Sequence, residues 1–316
     1  MHALMTCVKD EGPFILEFVA HHLVLGFDRI LMASNDCSDG SDDLLAALHR
    51  AGYVQHLHHN VTPREVPQHA GYAKLRAAFG LDGVQWLMVL DVDEFLHVSV
   101  GNGRVQALTA AAPPEVDIIA LNALTYGTDL GANWQAGRVC AQFTHRFGKA
   151  QGRNGAIKSL TRAPLRFRST HNHHMEGYCM DGPLRVMRGD GSLFEVDTLL
   201  PIWKSLRVIK PTKTCQNWAH YNHYAVKTYD SFALRRARGR GAQAAKSSAP
   251  MRHTDDYFAA HIGASVFDDS ISVYATLVQG QMEKMLADPA IAAAQASCEA
   301  RYGAMVADLR AQQIEG

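Results

Sequence analysis

The stretch Gln85-Trp86-Leu87-Met88-Val89-Leu90-Asp91-Val92-Asp93-Glu94-Phe95-Leu96 passes from unbroken apolar sequence into three carboxylates separated by at most one residue. Trp86 to Leu90 has the length and continuous hydrophobicity of a strand covered on both faces. Period 2 then sends Asp91 and Asp93 to the same side as the chain emerges, so the run reads as a buried strand delivering acid groups to a cleft. Two hard oxygen ligands on one edge suit Mg²⁺ or Mn²⁺. Carboxylates that merely cap a following turn would give the same local pattern, so the surrounding sequence must decide.

Upstream, strand and helix signals alternate. Ala3 to Val8 is a short apolar run; Pro13 occupies a first-turn position, and Ile15, Leu16, Val19 and Leu23 follow at helical spacing until Gly26. Arg29 to Ala33 reads as a second strand, Asn35 to Ser41 as a polar turn ending in a helix cap, and Asp42 to Arg50 as a helix. Tyr53 to Leu57 is a third strand and Gln68 to Phe79 a further helix before the acidic strand. This β-α-β-α-β-α-β order predicts an α/β domain with a mostly parallel twisted sheet flanked by helices, whose ligands sit beyond the carboxyl ends of the strands. Lys9 and Glu11, Asn35 and Asp36, and Asp91 and Asp93 then border one crevice.

Composition narrows the function classes. With 47% hydrophobic and 20% charged residues the chain is ordinary globular sequence. Lys and Arg total 31, as do Asp and Glu, so no global field holds it on nucleic acid. Six scattered cysteines without a Cys-x-x-Cys pair read as reduced thiols, and no segment reaches the roughly eighteen uninterrupted apolar residues of a membrane span. These features point to the cytoplasm and leave peripheral membrane association open. The histidines cluster at His56, His58 and His59, at His171, His173 and His174, and at His220 and His223, but without the spacing of a zinc site.

Val116 to Leu121 reads as one more strand, and from Tyr126 to about Thr214 the pattern is one of short strands and loops. The Gly-rich basic tract Arg146 to Lys158 reads as a solvated turn or as a mobile loop over an anion. Arg235, Arg236, Arg238 and Arg240 read as a phosphate or sugar contact, or equally as a solvated helix face. Gly239 to Pro250 is a small-residue connection. The segments Tyr257 to His261, Ile271 to Leu286 and Ile291 to Gln312 read as packing helices.

Several ordered segments carry a family likeness: Lys9-Asp10-Glu11-Gly12, Gly26-Phe27-Asp28-Arg29, Asn35-Asp36-Cys37-Ser38-Asp39-Gly40-Ser41, Leu90-Asp91-Val92-Asp93-Glu94-Phe95-Leu96 and, later, His223-Tyr224-Ala225-Val226-Lys227-Thr228. Together they resemble the family 2-like glycosyltransferases with a GT-A fold, strongly over roughly the first hundred residues, patchily from Lys158 to Lys227 and hardly at all over about the last sixty. The resemblance implies a GT-A-like catalytic domain over residues 1–240, with a nucleotide-sugar half at 1–125 and an acceptor half at 126–240, and a C-terminal helical extension at 251–316. It implies metal-dependent, inverting transfer of a hexose from a nucleotide diphosphate donor, a UDP-sugar, to a glycan, lipid-linked or protein acceptor. Carried onto this sequence, it makes Asp93 a direct ligand of Mn²⁺ or Mg²⁺, with Asp91 on the ribose or a metal-bound water. His171, or less favourably His223, joins the metal. Glu11, Asn35 and Asp36 hold base and ribose, with Lys9 beside them; Lys74, Lys158 and Lys227 face the diphosphate; Glu176 or Asp181 is the base.

Two other readings share some of these residues. Asp-x-Asp after a strand also opens the haloacid dehalogenase phosphatases, although Phe95 departs from their pattern. A non-catalytic carbohydrate or nucleotide binder on a transferase scaffold is the other.

Overall fold

A computed structural model describes residues 1–129, 133–239, 241–244 and 253–315 of the chain. Arg240 and most of the Gly239–Pro250 connection lie outside the described residues. The first half follows the alternation in order: β1 (His2–Val8), α1 (Gly12–Val24), β2 (Arg29–Ser34), α2 (Ser41–Arg50), β3 (Gln55–His58), α3 (Pro67–Phe79) and β4 (Trp86–Val89). Strands β3, β2, β1 and β4 lie side by side and parallel. Every residue of β4 is buried, as an unbroken apolar run demands when helices cover both faces.

The acidic segment departs from the sequence reading. The chain does not continue as a strand: it turns at Asp91–Asp93, with the Glu94 amide donating to the Asp91 carbonyl at 2.9 Å, and β5 (Glu94–Val98) then departs. Period 2 therefore does not govern Asp91 and Asp93; the turn aims them at different partners.

After α4 (Val105–Ala111) the central strand β6 (Ile118–Thr125) runs longer than Val116–Leu121 suggested. Then come α5 (Val139–Gln142), β7 (His145–Arg146), β8 (Ile157–Arg162), β9 (Phe167–Thr170), β10 (Met175–Tyr178), β11 (Leu184–Arg188), β12 (Leu193–Val196), α6 (Trp203–Leu206) and β13 (Ala219–His223). β8 slots antiparallel between β4 and β6; β13 runs parallel to β6 and antiparallel to β5. The main sheet order is β12-β11-β6-β8-β4-β1-β2-β3. The expected α/β class, with a largely parallel sheet between helices and a helical C-terminal part, is what the chain adopts.

Alternate residues of the strands feed two cores. On β1, Leu4 packs into the layer holding Phe14, Ile15, Phe18 and Val19 of α1, while Ala3 and Met5 meet Tyr72 and Leu75 of α3 on the other face. α3 lies so close to the sheet that a Cβ on Gly71 would stand 2.6 Å from Cys7 Sγ and 3.2 Å from Ala33 Cβ. The last elements are α7 (Tyr229–Arg238), α8 (Asp255–Ala259), β14 (Val266–Phe267), α9 (Ala275–Leu286) and α10 (Pro289–Glu315). α9 and α10 cover α1, where Tyr302 meets Phe14 edge-on at 5.6 Å. Arg310 fastens α10 to Asp230 of α7 at 2.6 Å. All six cysteines are unpaired. Among the described residues no helix is long and apolar enough to cross a membrane.

Candidate functional site

The carboxyl ends of β1, β2 and β4 open into one cavity of about 770 Å³. Lys9 and Glu11 reach it from β1, Asn35 and Asp36 from β2, Asp91, Asp93 and Glu94 from the turn after β4, and His223 from the end of β13. Three residues bordering these ends hold left-handed backbone without being glycine: Asp10 (φ 49°), Asp36 (φ 49°) and Lys227 (φ 59°). Such conformations persist where surrounding contacts fix them. Asp10 is fixed by accepting from the Ser38 amide at 2.6 Å and from its hydroxyl at 3.0 Å, which joins the loops after β1 and β2. Asp39 accepts from the Gly12 amide at 2.7 Å and the Ser41 amide at 2.9 Å, so part of the Asn35–Ser41 segment secures helix starts rather than ligand.

The two aspartates diverge. Asp91 accepts from Gln68 Nε2 at 2.7 Å and from Lys158 Nζ at 3.0 Å. Lys158 is fully buried; its Nζ also stands 2.8 Å from Glu94 Oε2 and donates to the Asn172 carbonyl at 2.7 Å. Burial presses the lysine downward, but Asp91 and Glu94 overcome it and raise its pKa. Burial and Asp91 push the Glu94 carboxyl up as well. An ammonium 2.8 Å away decides for the ion pair, and Lys158 holds both carboxylates from behind. It does not line the cavity.

Asp93 faces the other way. Its Oδ2 lies 2.8 Å from Arg235 Nη1 and 3.8 Å from His223 Nε2. Burial opposes its charge, yet Arg235, His223 and Lys227 hold its carboxyl far below the usual range. Glu11 is equally enclosed: Arg235 at 3.2 Å, Arg238 and, at 3.6 Å, Lys227 Nζ surround it. Against burial these cations lower its pKa to about 2. Arg238 also donates to the Asp10 carbonyl at 2.9 Å. The arginines of α7 are thus not a solvated helix face; Arg235, Arg236 and Arg238 form one wall of the cavity.

Asp93, Glu94 and His223 bring ligand atoms within 4.8 Å of one another, a group that includes neither Asp91 nor His171. The preference for His171 therefore yields to His223 on geometry. His171 still lines the cavity, its ring 4.4 Å from that of His69. Lys74 donates to the Asn60 carbonyl at 2.9 Å and does not line the cavity. Lys227 lies behind Glu11, over the Phe14 ring at 4.3 Å. Glu176 is spent on the start of α6, accepting from the amides of Ile202 at 3.2 Å and Trp203 at 2.8 Å and contacting His174 at 2.9 Å. Asp181 is exposed in the turn between β10 and β11, away from the cavity lining. Neither carboxylate is placed to act as the base.

The Arg146–Lys158 tract is not a loop over an anion either: Arg146 pairs with Asp268, and Arg153 stacks 3.7 Å over the Phe147 ring. Tyr257, in the segment read as packing only, reaches the cavity wall, as does His253 just before α8. No sequence signal marked those two residues, whereas the arginine run was visible as a candidate.

No family model matches the chain. It is 32% identical over 100 residues to a glycosyltransferase family 92 protein of Ricinus communis, covering 31% of this chain and 17% of that protein. To a glycosyltransferase family 92 protein of Oryza sativa subsp. japonica it is 22% identical over 213 residues, covering 64% of this chain and 34% of the other. The chain thus spans about a third or less of the length of these curated relatives. Among solved structures, S. aureus TarS in complex with UDP-GlcNAc matches 98% of this chain and 92% of its own at 10% identity and a TM-score of 0.33. LgtC in complex with donor and acceptor sugar analogs matches 50% of this chain and 57% of its own, at 16% identity and a TM-score of 0.24.

Proposed function

We propose that the chain is a glycosyltransferase that moves a sugar from a nucleotide diphosphate donor, a UDP-sugar, to an acceptor hydroxyl with inversion. The observation that carries this reading is the convergence of Glu11, Asn35, Asp36, Asp93 and His223 with Arg236 and Arg238 on a single cavity. The sequence similarity to glycosyltransferase family 92 proteins supports it. Base and ribose lie along the ends of β1 and β2, against Glu11, Asn35 and Asp36. The diphosphate lies against Lys9, Arg236 and Arg238, since guanidinium groups match phosphate geometry and compensate the charge of the departing nucleotide.

Two carboxylates and an imidazole make a donor set that suits Mn²⁺ better than Mg²⁺, which prefers oxygen ligands throughout, and Asp93, Glu94 and His223 are the residues that would hold such an ion. Bound there, a divalent cation would stabilise negative charge on the leaving diphosphate. Arg235 competes for the same oxygen of Asp93 and has to release it first. The acceptor proton falls to the His69–His171 pair: burial lowers both pKa values, leaving neutral imidazoles on the cavity wall that can accept a proton near pH 7. We place the enzyme in the cytoplasm.

The test is thermal unfolding of purified protein with a panel of nucleotide sugars, with and without Mn²⁺, followed by donor turnover. Donors that bind only the native state raise the midpoint. The reading expects a rise with UDP-sugars that grows with Mn²⁺, and its loss in Asp93→Asn. Undiminished transfer by Asp93→Asn would remove the assignment.

A further inference from the structure

Beside the cavity, the segment from Asp197 to Lys213 exposes large apolar side chains that none of the described residues covers. Leu199 is 90% exposed, Leu200 51%, Trp203 47% and Val208 57%. Exposed cations are interleaved with them: Lys204, Arg207, Lys210 and Lys213. The single acid of the stretch, Asp197, is taken up by its own turn, accepting from the Leu199 amide at 2.8 Å. Thr198 donates to the Gly182 carbonyl at 3.0 Å, which ties the segment to the turn bearing Met180, itself 52% exposed.

The patch is held in place. Glu176 fixes the amides of Ile202 and Trp203, and the buried Ile202 and Leu206 anchor α6 in the core beneath. Trp203 and Arg207 at the same time line the cavity. The apolar, basic surface is therefore continuous with the mouth of the proposed active site.

We infer that this surface docks on an anionic lipid bilayer, with Leu199, Leu200 and Trp203 entering the interface and the cations meeting lipid phosphates, so that the cavity faces an acceptor carried at the membrane. Charge complementarity selects this occupant: the stretch carries four cations against one acid, while the whole chain has no net charge. Tryptophan, leucine and lysine or arginine together are the composition of segments that lie in a membrane interface, and each apolar side chain transferred from water adds affinity. The acceptor class rests on the glycosyltransferase reading; the docking surface does not.

The experiment is co-sedimentation of the full chain with vesicles of phosphatidylcholine alone and of phosphatidylcholine mixed with phosphatidylglycerol. Two variants are compared with it, Leu199→Ser/Leu200→Ser and Lys210→Ala/Lys213→Ala, neither pair lining the cavity. The native chain binds the anionic vesicles and not the neutral ones, added salt weakens the binding, and each variant binds on the order of tenfold more weakly. Failure of the native chain to bind anionic vesicles overturns the inference, as does equal binding by both variants; a protein partner would then be what covers the patch. Thermal shift with UDP, run on all three proteins, reports folding and the donor site. Vesicle binding with no UDP response in any of them would sink the transferase reading and leave the surface standing.

Discussion

Acidification from pH 7 to 5.5 should destabilise this protein by an amount that its buried imidazoles set. His21 is enclosed behind β5 and bonded to the Leu96 carbonyl at 2.8 Å; His220 stacks on His97 at 4.7 Å; His173 bonds the Ile157 carbonyl at 2.8 Å. Burial lowers their pKa values to about 4 for His21 and about 3 for His173 and His220. In the unfolded chain each returns to about 6.5. Because the folded values are the lower ones, the unfolded state binds protons first as pH falls, and stability declines through the window below about 6.5. Between pH 7 and 5.5 each group contributes a loss of somewhat over ~1 kcal/mol, together ~4 kcal/mol, by that linkage. Glu17 works in the opposite direction. Its buried carboxyl is raised to about 7, so acid relieves it, returning ~2 kcal/mol over the same interval. Over these four groups the balance is a loss of ~2 kcal/mol, a large share of the roughly 5–15 kcal/mol typical of a folded domain. His22, also lowered by burial, adds in the same direction. Urea unfolding followed by tryptophan fluorescence at the two pH values, at equal ionic strength, measures the difference. His220→Asn should flatten it by ~1 kcal/mol, one group's share. Equal or greater stability at pH 5.5 would refute the burial of these rings as neutral groups.

Lys158→Met leaves Glu94 buried without its counter-charge and should cost about 3–5 kcal/mol, with Glu94→Gln in the same chain restoring most of it; a fully stable single variant in urea unfolding would contradict the pairing. Arg238→Ala should weaken binding of UDP by about tenfold in isothermal titration, through the lost phosphate contact, and unchanged affinity would take α7 out of the donor site. His171→Ala should lower turnover by about 10²-fold with UDP affinity intact; a parallel loss of UDP affinity would return His171 to donor binding rather than proton transfer.

How much of this was legible depended on the distance over which a residue finds its partners. Strands β1, β2 and β4 and helices α1 and α3 declare themselves because their burial is built from neighbours in sequence: a continuous apolar run, a first-turn proline, a glycine where the helix stops. The turn at Asp91–Asp93 was hidden because apolar sequence resumes at Phe95 and Leu96 and looks like one interrupted strand. Glu176 was misread for a comparable reason. Its carboxylate is consumed by two amides 26 and 27 residues downstream, and nothing in the local sequence records that.

The arginines show the principle most directly. Arg235 and Arg238 find Glu11 across 224 and 227 residues, so composition could reveal a basic run but not what it compensates. Only the fold shows that strand ends supply the anions and α7 the cations, and that the two neutralise one another across the cavity. Separately, they look like metal ligands and phosphate binders; together, they form a closed set of ion pairs, with Arg235 on both Glu11 and Asp93. In the proposed reaction the donor would enter by exchange, its diphosphate taking over guanidinium groups, and Asp93, released by Arg235, would then be free to join Glu94 and His223 in holding a divalent cation. Such an exchange keeps every buried charge compensated before and after binding, which is the condition that carboxylates as enclosed as Glu11 and Asp93 must meet.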